Sequence, residues 1–219
     1  MTQLRDPLLE GIGVAHAFGL RDSTAPDGLV RPRQVHGVAV AVVSGGGTDP
    51  AEADAVVSDD PDCPVGIVTA DCVPILAADA TGTVVAAIHA GWRGLAAGVV
   101  AEGVRVLAER SGGRPLSAAI GPHIGACCYE VDGPVIASLR DRFGASLDDA
   151  VRPTRPDHWL LDLGLLVAVD LGRSGVGASN RSRARADCTF CNPARFHSYR
   201  RDAADAGRML HHICAKRGS

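Results

Sequence analysis

The sequence predicts a mixed α/β (α+β) fold, with helices layered on a mixed β-sheet in a single domain over residues 1–219. Short apolar runs bounded by Gly, Asp, Pro or Thr alternate with segments of helical periodicity, the pattern of helices packed on a sheet. The chain is 46% hydrophobic and 21% charged, enough apolar material for a large core. Aromatic residues make up only 4%, so that core must be built from Val, Leu, Ile and Ala.

In chain order, residues 38–43, 66–69, 73–77, 84–88 and 118–120 read as buried strands. Residues 95–110 read as one helix, with Leu95, Val99, Val104 and Leu107 on one face and Ser-Gly-Gly closing it. A second helix follows Asp132, a residue suited to N-capping, and runs to about Phe143 before Gly144. Leu163, Leu166, Val167 and Leu171 mark a third. Ala206, Met209, Leu210, Ile213 and Cys214 fall at i, i+3, i+4, i+7 and i+8, which predicts a last helix behind Asp202. Residues 148–159 carry Pro153 and Pro156 without periodicity and read as a surface loop.

Net charge is −3, with no basic stripe and no interleaved aromatics, so nucleic acid is not an expected partner. No apolar run is long enough to cross a bilayer, and the polar, mixed start lacks the layout of a signal peptide. The expected location is the cytoplasm. Seven Cys, an odd number, argue against a disulfide framework there, leaving core thiols, nucleophiles or metal ligands.

Three segments interrupt apolar strands with reactive side chains: Gln34-Val35-His36-Gly37, Thr69-Ala70-Asp71-Cys72-Val73-Pro74 and His89-Ala90-Gly91-Trp92-Arg93-Gly94. Reactive groups at strand ends beside glycine turns are a common way to present chemistry on a rigid scaffold. Taken singly, a buried Cys is a small apolar residue and a strand-end His a hydrogen-bonded structural one. No short zinc-finger spacing links the three segments. Cys188 and Cys191 form a C-x-x-C, read as packing thiols. A tetrahedral site there would need Cys127, Cys128 or a His brought in by the fold. His123 is a candidate to line a pocket, whereas His211 and His212 read as surface residues.

The three segments recur in order with Asp54-Ala55-Val56-Val57, Ile120-Gly121-Pro122, Cys127-Cys128-Tyr129-Glu130-Val131 and Ser198-Tyr199-Arg200-Arg201-Asp202. From about Val14 to the C-terminus this series resembles the YfiH family, also called laccase-domain or polyphenol-oxidase-like proteins. The resemblance implies a YfiH-like, cysteine-hydrolase-type fold and a purine nucleoside phosphorylase with adenosine deaminase activity. It also implies His36, Cys72 and His89 as metal ligands and catalytic residues. Two imidazoles and one thiolate with an open position make a catalytic zinc pattern, which copper can also occupy. The implied partners are a purine nucleoside and phosphate, with adenosine, inosine, guanosine and methylthioadenosine unranked and the oligomeric state open.

Phosphate would meet Arg93 on a Gly-flanked turn before the 95–110 helix, completed by Tyr199, Arg200 and Arg201. Of the adjacent Arg200 and Arg201, at least one should be structural, since neighbouring side chains rarely face the same way. The sequence departs from the family in the short stretch between Ala15-His16-Ala17-Phe18 and Gln34, and in His197 beside Phe196, where an apolar ring is usual. Three rival readings stand beside the phosphorylase. A multicopper oxidase would need more ligands than eight His and two Met supply. A cysteine amidase, of the kind linked to peptidoglycan-precursor editing, would use Cys72 as nucleophile and His89 as base. A non-catalytic binding protein would keep the fold alone.

Overall fold

The apolar run beginning at Val73 becomes a strand buried along its whole length, and what covers its two faces organises the molecule. The computed structural model describes residues 3–44, 52–183 and 187–218. Its strands are β1 (Gln3–Leu4), β2 (Ala15–Gly19), β3 (Val40–Val43), β4 (Ala55–Ser58), β5 (Val65–Thr69), β6 (Val73–Asp79) and β7 (Val85–Ala90). They continue as β8 (Leu116–Ile120), β9 (Glu130–Asp132), β10 (Val151–Arg155), β11 (His158–Leu161), β12 (Arg181–Arg183) and β13 (Met209–Cys214). The helices are α1 (Pro7–Ile12), α2 (Trp92–Ala97), α3 (Val99–Arg110), α4 (Gly133–Phe143), α5 (Leu163–Arg173) and α6 (Tyr199–Asp202).

A six-stranded mixed sheet runs in the order β12-β8-β6-β7-β4-β3, with β3/β4 and β12/β8 parallel and the other pairs antiparallel. Alternate residues of its strands enter two different cores. Val73, Ile75 and Ala77, with Ala86, Ile88, Ala118 and Ile120, pack under Leu95, Val104 and Leu107 and under Leu166 and Leu171 of α5. Leu76 and Ala78, with Val85, Ala87 and Ala119, pack on Val65, Ile67, Phe18 and Ile213 of a second sheet, ordered β1-β2-β13-β5. Helices thus cover one face and a four-stranded antiparallel sheet the other. This is why these strands read as continuous apolar runs and not as alternating ones. A small sheet, β10-β11-β9, completes the described residues.

The five expected strands and the helices at 133–143 and 163–173 form, with ends displaced by a few residues, but the 38–43 run is the edge strand β3 with only Val43 buried, not a buried strand. Asp162 caps α5 by accepting from Leu165 N at 2.8 Å. Asp132 sits at the N-cap of α4 without a side-chain hydrogen bond, and Pro134 occupies the first turn.

Several further expectations change. The 95–110 helix is two helices broken at Gly98, whose φ of +103° ends α2 and leaves only six residues in it. The last helix is strand β13, paired antiparallel with both β2 and β5, and its burial alternates from Met209 through His211 to Ile213. His211 is therefore fully buried, not at the surface, and its Nε2 lies 2.8 Å from Thr69 Oγ1. Burial of this neutral imidazole pushes its pKa down to about 3. Residues 148–159 lie at the surface but as the β10–β11 hairpin, turning at Pro156 and Asp157, with Pro153 tolerated because β10 is an edge strand. His123 is buried against Gly164 of α5 and donates through Nδ1 to Gly121 O at 2.8 Å, outside the active-site cleft. Among the described residues, no helix is long and apolar enough to cross a membrane.

Candidate metal centre and active-site cleft

His36, Cys72 and His89 converge at the ends of the strands, their ligand-type atoms all within 4.8 Å of one another. Each arrives by a separate device. His89 is in β7, and the register Val73↔Ala90 and Pro74↔His89 sets it beside Cys72, which ends the turn between β5 and β6. His36 lies in an irregular loop with φ of +60°, a left-handed conformation unusual for a residue with a Cβ.

Asp54 makes that conformation possible. Its buried carboxylate accepts from the amides of Val35 (3.2 Å), His36 (2.9 Å) and Gly37 (2.7 Å), and also contacts His89 Nδ1 at 2.8 Å. The loop is tied down again by Gln34, whose side chain donates to Val68 O and accepts from Val68 N, both at 2.8 Å. Gln34 thereby pairs with the open edge of β5 as a strand residue would.

With His89 Nδ1 engaged by Asp54, its Nε2 is the ring nitrogen left to meet a metal, and His36 Nε2 lies 3.9 Å from Cys72 Sγ. The two rings meet edge to face with centroids 4.8 Å apart. Gly91 is required by this convergence: a Cβ there would lie 2.8 Å from His36 Cδ2 and 3.0 Å from Cys72 Sγ. Burial works against the Cys72 thiolate, but hydrogen bonds and charge from His36 and His89 outweigh it and bring its pKa down to about 6. Burial likewise disfavours protonated His89, and Asp54 and Cys72 reverse that, raising it to about 9. Asp54 is held below the usual carboxylate range: burial opposes this, and the His89 hydrogen bond and the loop amides prevail. A donor set that already favours a thiolate and carries an oriented imidazole fits a soft or borderline metal ion.

The constellation opens into a cleft of about 670 Å³. Trp92, Tyr129, Ile124 and Leu163 give it apolar walls, and Arg31, Arg33, Arg93, Arg200 and Arg208, all exposed, bring five guanidinium groups to it. Among the described residues Asp71 is the one carboxylate lining it, and it is already occupied. It accepts from Thr189 Oγ1 (2.6 Å), Ser198 Oγ (3.0 Å) and the Arg200 amide (2.7 Å), anchoring the C-terminal wall to the Cys72 turn. The described lining of the cleft thus carries an excess of positive charge.

The neighbouring arginines divide as their adjacency implies. Arg200 lies over the Tyr129 ring, 5.2 Å from its centroid, and lines the cleft. Arg201 turns inward, donating to the carbonyls of Thr189, Phe190 and Phe196 and pairing with Asp202. Arg93 packs on Trp92, with its guanidinium carbon 4.7 Å from the ring centroid, and Tyr199 is 57% exposed at the cleft. His197 packs against Gly207 and does not line the cleft.

Asp54, Gln34 and Asp71 stand in the sequence motifs without a role of their own there, and Arg31, Arg33 and Arg208 fall outside those motifs. An acid abutting a strand as apolar as Ala55–Ser58 was the available signal, because a buried carboxylate needs donors. Cys188 and Cys191, read as packing thiols unless the fold brought in Cys127, Cys128 or a His, do meet Cys127 and Cys128 in a second cluster.

Fold and cleft together define a layered α/β protein with a two-histidine, one-cysteine constellation beneath an arginine-lined opening. The family described as multi-copper polyphenol oxidoreductase laccase matches residues 14–216, and the chain belongs to this family, the YfiH family. The chain is 41% identical over 177 residues to a purine nucleoside phosphorylase of Pseudomonas aeruginosa, covering 78% of this chain and 67% of that protein. It is 36% identical over 188 residues to the purine nucleoside phosphorylase YlmD of Geobacillus stearothermophilus, covering 81% and 68%. The aligned region spans about two thirds of these relatives' own length. In structure it is similar to YfiH of Bacillus licheniformis (TM-score 0.88, 25% identity, 98% and 97% of the chains covered). It is equally similar to the crystal structure of YlmD (TM-score 0.87, 28% identity, 99% and 97% covered).

Proposed function

We propose that this chain is a zinc-dependent purine nucleoside phosphorylase, acting as one catalytic domain over residues 1–219 in the cytoplasm. It would convert adenosine, inosine, guanosine or methylthioadenosine and phosphate to the free base and the pentose 1-phosphate, with adenosine deamination as a second activity of the same cleft. The observation that carries this reading is the convergence of His36, Cys72 and His89 at a cleft of about 670 Å³ lined by five arginines. The names of the relatives agree with it.

In the proposed reaction a phosphate oxygen forms a bond to the anomeric carbon while the glycosidic bond breaks, its electron pair leaving with the purine nitrogen. Arg93 and Arg200 hold the phosphate, since a guanidinium presents paired donors to an oxyanion. Their packing on Trp92 and Tyr129 fixes the direction of those donors before substrate arrives. Trp92, Tyr129 and Tyr199 offer flat faces to the base. His36, Cys72 and His89 would hold the metal, with Asp54 keeping His89 Nε2 turned toward it. When bound, zinc supplies Lewis-acid polarisation of a substrate oxygen and keeps Cys72 as its thiolate. Copper is the alternative occupant of the same donors.

The test is metal content together with phosphate-dependent release of base from inosine and adenosine, in wild type and Cys72→Ala. Zinc and turnover lost together in Cys72→Ala support the reading; zinc retained with no turnover of any purine nucleoside overturns it. A cysteine amidase is the second reading, favoured by the pairing of a Cys72 pKa near 6 with a His89 pKa near 9. A metal-free protein whose Cys72 is alkylated readily would move the assignment there.

A further inference from the structure

Away from His36, Cys72 and His89, four more thiols meet. Cys127 and Cys128 lie in the turn after β8, and Cys188 and Cys191 in the segment that leads to α6. Their four sulfurs all fall within 4.8 Å of one another, and none is in a disulfide. Three separations are resolved individually: Cys128 to Cys191 at 3.3 Å, Cys127 to Cys128 at 3.5 Å and Cys127 to Cys191 at 3.7 Å.

Those distances resemble the edges of a coordination tetrahedron. Four thiolates each about 2.3 Å from one zinc ion stand about 3.8 Å apart. Packing does not explain the cluster, because Cys127 and Cys191 are exposed whereas structural thiols are ordinarily buried. The buried member, Cys188, receives N–H groups as a thiolate ligand does: Gly125 N donates to its sulfur at 3.2 Å, and the Cys191 amide turns to it across the C-x-x-C. The turn is shaped around the cluster as well. A Cβ on Gly125 would lie 3.2 Å from Cys188 Cβ and 3.3 Å from Cys127 Sγ. Adjacent Cys127 and Cys128 can both point inward because they sit in a turn, free of the alternation that a strand imposes.

We propose that Cys127, Cys128, Cys188 and Cys191 form a second, tetrathiolate metal site that binds zinc and clamps two walls of the active-site cleft together. Each thiol gives its proton to solvent on binding, and the four sulfurs leave no position open, so the site is structural and not catalytic. One wall carries Ile124 and Tyr129, the other Tyr199 and Arg200, and all four line the cleft. The polypeptide already joins these walls beside the cluster, where Thr189 N donates to His123 O at 3.1 Å, and at the cleft, where Arg200 donates to Glu130 O at 2.8 Å. The inference stands whatever reaction the cleft performs.

The experiment is elemental analysis of full-length protein purified without chelator from zinc-supplemented cells. Wild type is compared with Cys72→Ser, with the double variant Cys127→Ser/Cys191→Ser, and with the three changes combined. The expected result is about one zinc per chain retained by Cys72→Ser and lost from the combined variant. Should the double change prevent folding, Co²⁺ added to the metal-free Cys72→Ser protein answers the same question. A four-sulfur site then gives strong thiolate-to-cobalt charge transfer, and Cys127 and Cys191 become protected from alkylation. Cys72→Ser protein without zinc and without those cobalt bands overturns the proposal. So does a Cys127 or Cys191 that is disulfide-bonded or alkylated as fast as a free exposed thiol.

Discussion

Asp54 Oδ1 lies 2.8 Å from His89 Nδ1, with both side chains almost wholly buried, and the same carboxylate gathers three amides of the loop that carries His36. One acid thus positions two of the three ligand candidates. It couples the ring orientation of His89 to the backbone conformation of His36, although the two come from distant parts of the chain.

Asp54→Asn tests that coupling. The amide keeps the shape but presents a weaker acceptor to His89 and offers a donor where loop amides require acceptors. Zinc affinity should fall by about 10- to 100-fold, the range for orienting partners of metal ligands. Competition with a chromophoric chelator measures it, and unchanged affinity would remove Asp54 from this role.

Gly91→Ala should separate the metal site from the fold. Gly91 has φ of −76° and ψ of 165°, a conformation open to alanine, yet its Cβ would press on His36 and Cys72. Metal content should drop while the melting temperature of the metal-free protein changes little. Full zinc occupancy in this variant would contradict the convergence described here.

In the metal-free protein, Cys72 should react as a thiolate at unusually low pH. Its pKa is lowered from 9.0 to about 6 and that of His89 is raised from 6.5 to about 9, so thiolate and imidazolium coexist between about pH 6 and 9. The Cys72 contribution to stability is present above the unfolded thiol pKa and lost as pH falls through about 6. The His89 contribution is present below pH 6.5 and lost as pH rises through about 9. Iodoacetamide modification of Cys72, followed by peptide mass, should therefore rise with a midpoint near pH 6 and then level off. A midpoint above pH 8, as for an ordinary thiol, would refute the pairing.

Arg200 and Arg201 should give opposite phenotypes. Arg200→Ala, at the cleft, should raise the KM for phosphate by about 10- to 100-fold, the worth of one charge-assisted contact, with stability nearly unchanged. Arg201→Ala strips donors from three carbonyls and a partner from Asp202, and should destabilise the fold by about 2–3 kcal/mol. Steady-state kinetics and denaturant unfolding of both variants decide it, and similar effects from the two would show the division to be wrong.

Much of this was legible in the chain because it is local. The runs at Val73, Val85 and Leu116 are apolar on both strand faces, so burial was readable without knowing what covers them. His36, Cys72 and His89 stood out as reactive residues beside glycine turns, but only the resemblance to the family named them as ligands. Residues 206–214 were misread because Met209, Leu210, Ile213 and Cys214 satisfy a helical period equally well. The alternating choice required knowing that His211 is buried between two sheets, beside Thr69. Local propensity lost there to pairing with strands nearly two hundred and about a hundred and forty residues away in sequence.

By itself, then, the sequence determined the fold class and most of the six-stranded sheet, since apolar periodicity is written position by position, and its motifs carried the family resemblance that names the three ligand candidates. Only the tertiary structure decided that Asp54 holds two of them, that Arg200 faces the cleft while Arg201 does not, and that four scattered cysteines meet. Those facts depend on the distance between segments remote in sequence. That distance is settled when both faces of the central sheet are covered, not by any spacing along the chain.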